Sequence, residues 1–128
     1  MRLFRLAGRS SEGADPDTFT GDARLTRITD VSHDPAVNAY RVEFQPSART
    51  AWHTHSGPQL LVVLSGRCRV QCAGEAVEVA EAGDVVSIEP NEQHWHGADS
   101  QAPMTHLAIN IDATTTWLHK VSDADYDG

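Results

Sequence analysis

Two histidines stand two residues apart in Trp52–Gln59 (WHTHSGPQ), and two more in Pro90–Gly97 (PNEQHWHG). On an extended segment, side chains at i and i+2 project to the same side, so each pair can aim two imidazoles at one metal ion. Of the 7 histidines in the chain, all but His33 and His119 fall between His53 and His106. Neutral imidazoles suit Zn, Mn, Fe, Co, Ni or Cu, and ligand type does not choose among them. A single His-x-His is weak evidence, since ordinary strands carry such pairs. The spacing of the pair against other residues has to decide.

Length and charge narrow the field. A chain of 128 residues has room for one domain with one core. Its formal charge of −8, from 18 acidic against 10 basic residues with Lys120 the only lysine, argues against a nucleic-acid partner. No apolar run approaches the roughly 20 residues of a membrane span, and Arg5 interrupts the start Met1–Gly8 (MRLFRLAG), which removes a signal-peptide core. The expectation is a soluble cytoplasmic protein with no membrane partner. In Arg67–Cys72 (RCRVQC), Cys68, Val70 and Cys72 alternate with polar residues as on a strand. Four strand residues span about 13 Å, beyond the roughly 7 Å reach of a disulfide, so the two cysteines are expected to be unpaired.

The elements that must position the histidines are short and β-type. Candidate strands are Arg24–Thr29, Asn38–Phe44, Gln59–Leu64, Arg67–Cys72, Ala76–Val79, Val85–Ile88 and Thr105–Ile111, separated by turn residues such as Gly57-Pro58, Ser65-Gly66, Gly83-Asp84 and Pro90-Asn91. Strands at this spacing predict an all-β sandwich or small barrel. Residues 1–20 read as a partly mobile N-terminal arm, 21–121 as the barrel and 122–128 as a solvated acidic tail, with helical turns conceivable over Thr115–Val121 and Ser122–Tyr126. Period-2 parity puts Tyr40, Val42 and Phe44 on one face. It also separates Met104, His106, Ala108 and Asn110 from Thr105, Leu107, Ile109 and Ile111. If the mixed face lines a cavity, the aliphatic face needs a cover: a terminal segment such as Phe4 and Trp117, or a second subunit, and a homodimer is expected there.

Together these segments resemble the cupin superfamily. Its first motif runs Gly, five residues, His-x-His, three or four residues, Glu, six residues, Gly. Ser47, His53, His55, Gln59 and Gly66 keep the intervals, with Ser for Gly and Gln for Glu. Its second motif runs Gly, five residues, Pro-x-Gly, two residues, His, three residues, Asn. Gly83 and His94 fall in register, whereas Glu89, Asn91 and Ala98 depart, and Asn91 suits the left-handed turn that Gly would make. The resemblance implies a single-domain, metal-binding jelly-roll barrel with short terminal arms.

Three runs, Ala48–His55 (ARTAWHTH), His94–Gly97 (HWHG) and Met104–Ile109 (MTHLAI), are similar to small bacterial cupins with manganese-dependent hydroxynitrile lyase activity. That resemblance implies His53, His55, Gln59 and His94 as metal ligands and His106 as the proton handler. It also implies one divalent transition metal per subunit, manganese first, with Fe, Zn, Ni or Co as other candidates. Tyr40, Val42, Phe44, Ala108, Asn110 and His96 would shape a pocket for a small-molecule substrate. Three histidines and an amide leave the metal's charge uncompensated, a Lewis-acidic centre suited to cleaving or forming a cyanohydrin. An iron- or manganese-dependent dioxygenase and a non-catalytic metal- or ligand-binding protein are the alternatives. Trp52 and Trp95 read as packing residues, and His33 and His119 as surface residues outside the cluster.

Overall fold

Backbone conformation at two turns bears on the departures from the family motifs, readily accommodating Asn91 and straining Ser47. Ser47 and Asn91, standing where the motifs have Gly, both take φ of 66°. That left-handed conformation costs an L-residue little only when, like Asn, it can bond locally. The computed structural model describes residues 1–128. Its strands, in chain order, are β1 (Glu12–Gly13), β2 (Phe19–Thr20), β3 (Ala23–His33), β4 (Ala36–Phe44), β5 (Arg49–Thr50), β6 (His53–His55), β7 (Gln59–Ser65), β8 (Arg67–Cys72), β9 (Glu78–Glu81), β10 (Val85–Ile88), β11 (His94–Ala98), β12 (Met104–Ile111) and β13 (Thr115–Trp117). A single helix, α1 (Asp123–Asp127), follows. No helix is long and apolar enough to cross a membrane.

The strands form two antiparallel sheets that face each other as a jelly-roll barrel. One sheet runs β1-β3-β4-β12-β7-β10. In the other, β11 pairs with β8 on one edge and with the broken segment β5 and β6 on the opposite edge, while β13 extends β6, β2 extends β5 and β9 extends β8. Inward parity supplies the core of Phe44, Val63, Cys68, Met104 and their neighbours, all nearly or fully buried. Trp52 and Trp95 pack with Val121 and Tyr126 in a second cluster, away from the cavity. Both cysteines are unpaired.

Three expectations need correction. The predicted strand Ala76–Val79 lies two residues further on, because β9 pairs Val70 with Glu78 and the turn after β8 is held by the Gln71 amide donating to the Glu75 carbonyl at 2.8 Å. Thr115–Trp117 is a strand, not a helical turn, since β6 offers it an open edge. Trp117 therefore stands beside His53 in the second sheet and does not cover the aliphatic face of β12, whose Leu107, Ile109 and Ile111 stay half-buried.

Both terminal segments have residues that pack on the barrel. Phe19 of the N-terminal arm is buried, and β1 and β2 pair into the two sheets. In the C-terminal segment, Ser122 caps α1 by accepting from the Asp125 N–H at 3.1 Å. The tail's carboxylates are solvated as expected, but Tyr126 is buried and donates its hydroxyl to the Ala98 carbonyl at 2.6 Å. The guanidinium of Arg49 stands 4.6 Å from the Tyr126 ring and that of Arg69 stands 5.0 Å from it. Arg49 also donates to Asp123 at 2.7 Å, which fastens α1 behind β11.

Candidate metal centre

Register builds the histidine cluster. His94 of β11 lies directly opposite His53 of β6, so the two side chains share a face and their ring centroids are 4.2 Å apart. His55 and His96 follow by period 2 on the same two strands, with centroids 4.9 Å and 5.3 Å from that of His53. All four are buried. Each of the first three is anchored through Nδ1: His53 to the Ala51 carbonyl at 2.9 Å, His94 to the Glu92 carbonyl at 2.9 Å, and His55 to the Thr115 hydroxyl at 2.9 Å. A carbonyl only accepts, so His53 and His94 carry their proton on Nδ1 and turn the Nε2 lone pair inward.

The opposite sheet contributes the remaining groups. Gln59 of β7 and Asn110 of β12 are register partners, and the Gln59 amide donates to Asn110 Oδ1 at 2.8 Å. This points Gln59 Oε1 toward His94 Nε2, 3.2 Å away. Two lone-pair atoms thus face each other with no proton between them, since the one proton of neutral His94 is spent on Glu92. A cation relieves that repulsion. His55 Nε2 is likewise buried without a partner. Three imidazoles and an amide oxygen are a donor set for a divalent transition metal, so the residues fit the group.

His96 sits closer to this cluster than the pocket-wall position expected for it. One ring nitrogen each from His53, His94 and His96 lie within 4.8 Å of one another. Its Nδ1 is engaged by His106 Nε2 at 2.9 Å, joining the cluster to β12. His96 Nε2 and His106 Nδ1 have no protein partner. The Phe44 ring packs edge-on against His106 with centroids 5.2 Å apart, which fixes the imidazole.

Burial keeps the group neutral. Desolvation pulls the pKa of His106 and of His55 down to about 4, with the neighbouring His94 adding to the effect at His55. The same burial holds His53, His94 and His96 below the usual imidazole range. Neutral imidazoles are the form that ligates a metal and accepts a proton.

The cavity in front of these residues has a volume of about 330 Å³, suited to a small organic molecule. Tyr40, Val42, Phe44, Ala108, Asn110 and His96 all line it, as do His53, His55, Gln59 and His106. Sequence reasoning missed Phe19, Arg27, Thr50 and Trp117, which reach it from β2, β3, β5 and β13. Alternation on β3 could have flagged Arg27, because it shares the inward parity of Leu25. A larger open groove of about 990 Å³ runs along Gly13–Arg24, Glu43 and Pro103, and it holds no histidine or thiol.

Comparison with known proteins agrees with this architecture. A cupin domain model matches residues 40–110. The chain is 40% identical, over 98% of its length and 98% of the relative's, to an (R)-mandelonitrile lyase from Granulicella tundricola. A crystal structure of a cupin-like protein from Thermotoga maritima superposes with a TM-score of 0.84 at 32% identity, covering 98% of this chain and 95% of that one. The polyketide cyclase RemF from Streptomyces resistomycificus shares the fold alone, with a TM-score of 0.74 at 16% identity over 99% of this chain and 91% of its own. From the spacing of its histidines to the course of its strands, this chain belongs to the cupin family.

Proposed function

We propose that this protein is a metal-dependent lyase of hydroxynitrile lyase type, which cleaves or forms the bond between a carbonyl-derived carbon and cyanide. The observation that carries the reading is the buried His96–His106 couple beside an all-neutral donor set. His53, His55, Gln59 and His94 are the proposed ligands of one divalent transition metal, manganese in this reading. When bound, it supplies a Lewis-acidic charge that no carboxylate ligand reduces.

The chain's own residues provide the proton chemistry. The two neutral rings of the His96–His106 couple carry two protons, one inside the 2.9 Å contact and one on an outer nitrogen, so the couple retains one free lone pair as its base. The couple accepts the cyanohydrin hydroxyl proton as the carbon–cyanide bond breaks. The electron pair of that bond leaves with cyanide, the oxygen pair forms the carbonyl, and the accepted proton passes to cyanide to give hydrogen cyanide. Burial lowers the basicity of His106, which makes the return of the proton easy. Phe44, Val42 and Ala108 exclude water from the couple. The 40% identical relative named as a mandelonitrile lyase supports the same reaction.

Anaerobic turnover of mandelonitrile by the metal-loaded protein is the test, with loss of activity and retention of metal expected in His106→Ala. Consumption of dioxygen that depends on substrate would defeat the reading in favour of an oxygenase. Binding without turnover of either kind would leave a ligand-binding protein. A homodimer through the half-buried Leu107 and Ile109 face and a cytoplasmic location, suited to two unpaired thiols, belong to the same proposal. Sedimentation equilibrium checks the first and fractionation the second.

A further inference from the structure

Among the residues lining the metal-side cavity, one is a fixed cation, Arg27. The β3–β4 register sets it directly opposite Tyr40, so both side chains take the inward parity. Its guanidinium carbon stands 5.5 Å from the Tyr40 ring centroid, and the aromatic face holds the cation at the cavity rim. Arg27 Nε donates to the carboxylate of Glu12, which β1 places beside β3. The terminal Nη donors have no protein partner. A guanidinium offers five N–H donors in a planar fork, and Glu12 takes the Nε edge only. Asp15, the carboxylate in the cavity wall, is turned into its own loop and accepts from the Asp17 N–H at 2.9 Å. The Arg27 side chain is 53% exposed, which suits a group that meets the outer end of a ligand and not its reacting centre.

We infer that Arg27 is a specificity-determining residue whose free Nη edge selects substrates with a carboxylate remote from the reacting carbon. Tyr40, Phe44 and Trp117 take the flat body of such a molecule between the two sheets. The assignment rests on the proposed reaction for which end of the substrate faces the histidines. Recognition at Arg27 does not itself require turnover, and the two can be tested apart.

Isothermal titration of the metal-loaded protein with para- and meta-formylbenzoate, and with the corresponding neutral formylbenzamides, measures the preference directly. At least one carboxylate is expected to bind about five- to tenfold more tightly than its amide, as for a half-exposed charge-assisted contact. Arg27→Gln should bring that ratio within about twofold by weakening carboxylate binding far more than amide binding, and added salt should shrink the wild-type ratio. Glu12→Gln should raise it, because a competing carboxylate is gone. Equal affinities in the wild type, a preference that survives in Arg27→Gln, or no binding of any of these ligands would overturn the assignment. Cyanide addition to the same aldehydes is followed separately. Loss of preference in Arg27→Gln without any cyanohydrin formation would sink the lyase reading and leave Arg27's role standing.

Discussion

Asn110 makes no hydrogen bond to the three proposed histidine ligands, yet its replacement by alanine is expected to weaken metal binding. Asn110 Oδ1 accepts from the Gln59 amide at 2.8 Å, and Gln59 is 3% exposed. Removing the acceptor leaves a buried donor unpaired, at a cost of about 1–3 kcal/mol. In the metal-free protein the amide escapes that cost by turning over, so that its N–H₂ donates to His94 Nε2. Metal binding must then reverse the turn and restore the unpaired donor, so the cost falls on affinity: roughly 5- to 150-fold. Asn110 is only half-buried and water can partly replace its oxygen, which places the expected value near the lower end, at about tenfold. Competition against a chromophoric chelator measures the affinity, and Gln59→Ala supplies the control. Asn110→Ala should have no further effect in that background, because the amide it orients is gone. Unchanged affinity in the single variant, or an equal loss with and without Gln59, would refute the orientation argument.

Other expectations follow from the same contacts. Gln59→Glu adds an anionic donor, so metal affinity should rise while cyanohydrin turnover falls at least about tenfold with the reduced Lewis acidity; chelator competition and steady-state kinetics read the two. His106 in the metal-free protein has a folded pKa of about 4 against 6.5 unfolded, so the unfolded state binds more protons in that window. Stability is then full above pH 6.5 and falls toward pH 4, by roughly 3 kcal/mol for this residue; a urea midpoint independent of pH across that range would refute the burial argument. In Gly97→Ala, the added Cβ would stand 2.4 Å from the Ala48 carbonyl oxygen and 2.5 Å from Arg49 Cβ, forcing β11 from β5. Thermal unfolding should show a loss of about 3 kcal/mol or more. Tyr126→Phe leaves the buried Ala98 carbonyl without its 2.6 Å donor and should cost about 1–2 kcal/mol by the same measurement.

The sequence by itself determined which residues share a face. Period 2 is a local property of an extended backbone, so the inward set Tyr40, Val42 and Phe44, and the separation of His106, Ala108 and Asn110 from Leu107 and Ile109, followed without tertiary knowledge. The histidine spacing and the left-handed turn at Asn91 were legible for the same reason. Chain ends were not. β1, β2 and β13 are two or three residues long and exist only because β3, β5 and β6 offer edges, while α1 stays docked because Arg49 and Arg69 flank Tyr126. Tertiary structure alone decided what faces what across the barrel: Gln59 Oε1 against His94, His96 against His106, and Arg27 against Tyr40. Pairing of the last two residues depends on the register of strands joined by an irregular turn, and that of the first four on how two sheets close, and neither is encoded within a few residues of the atoms it brings together.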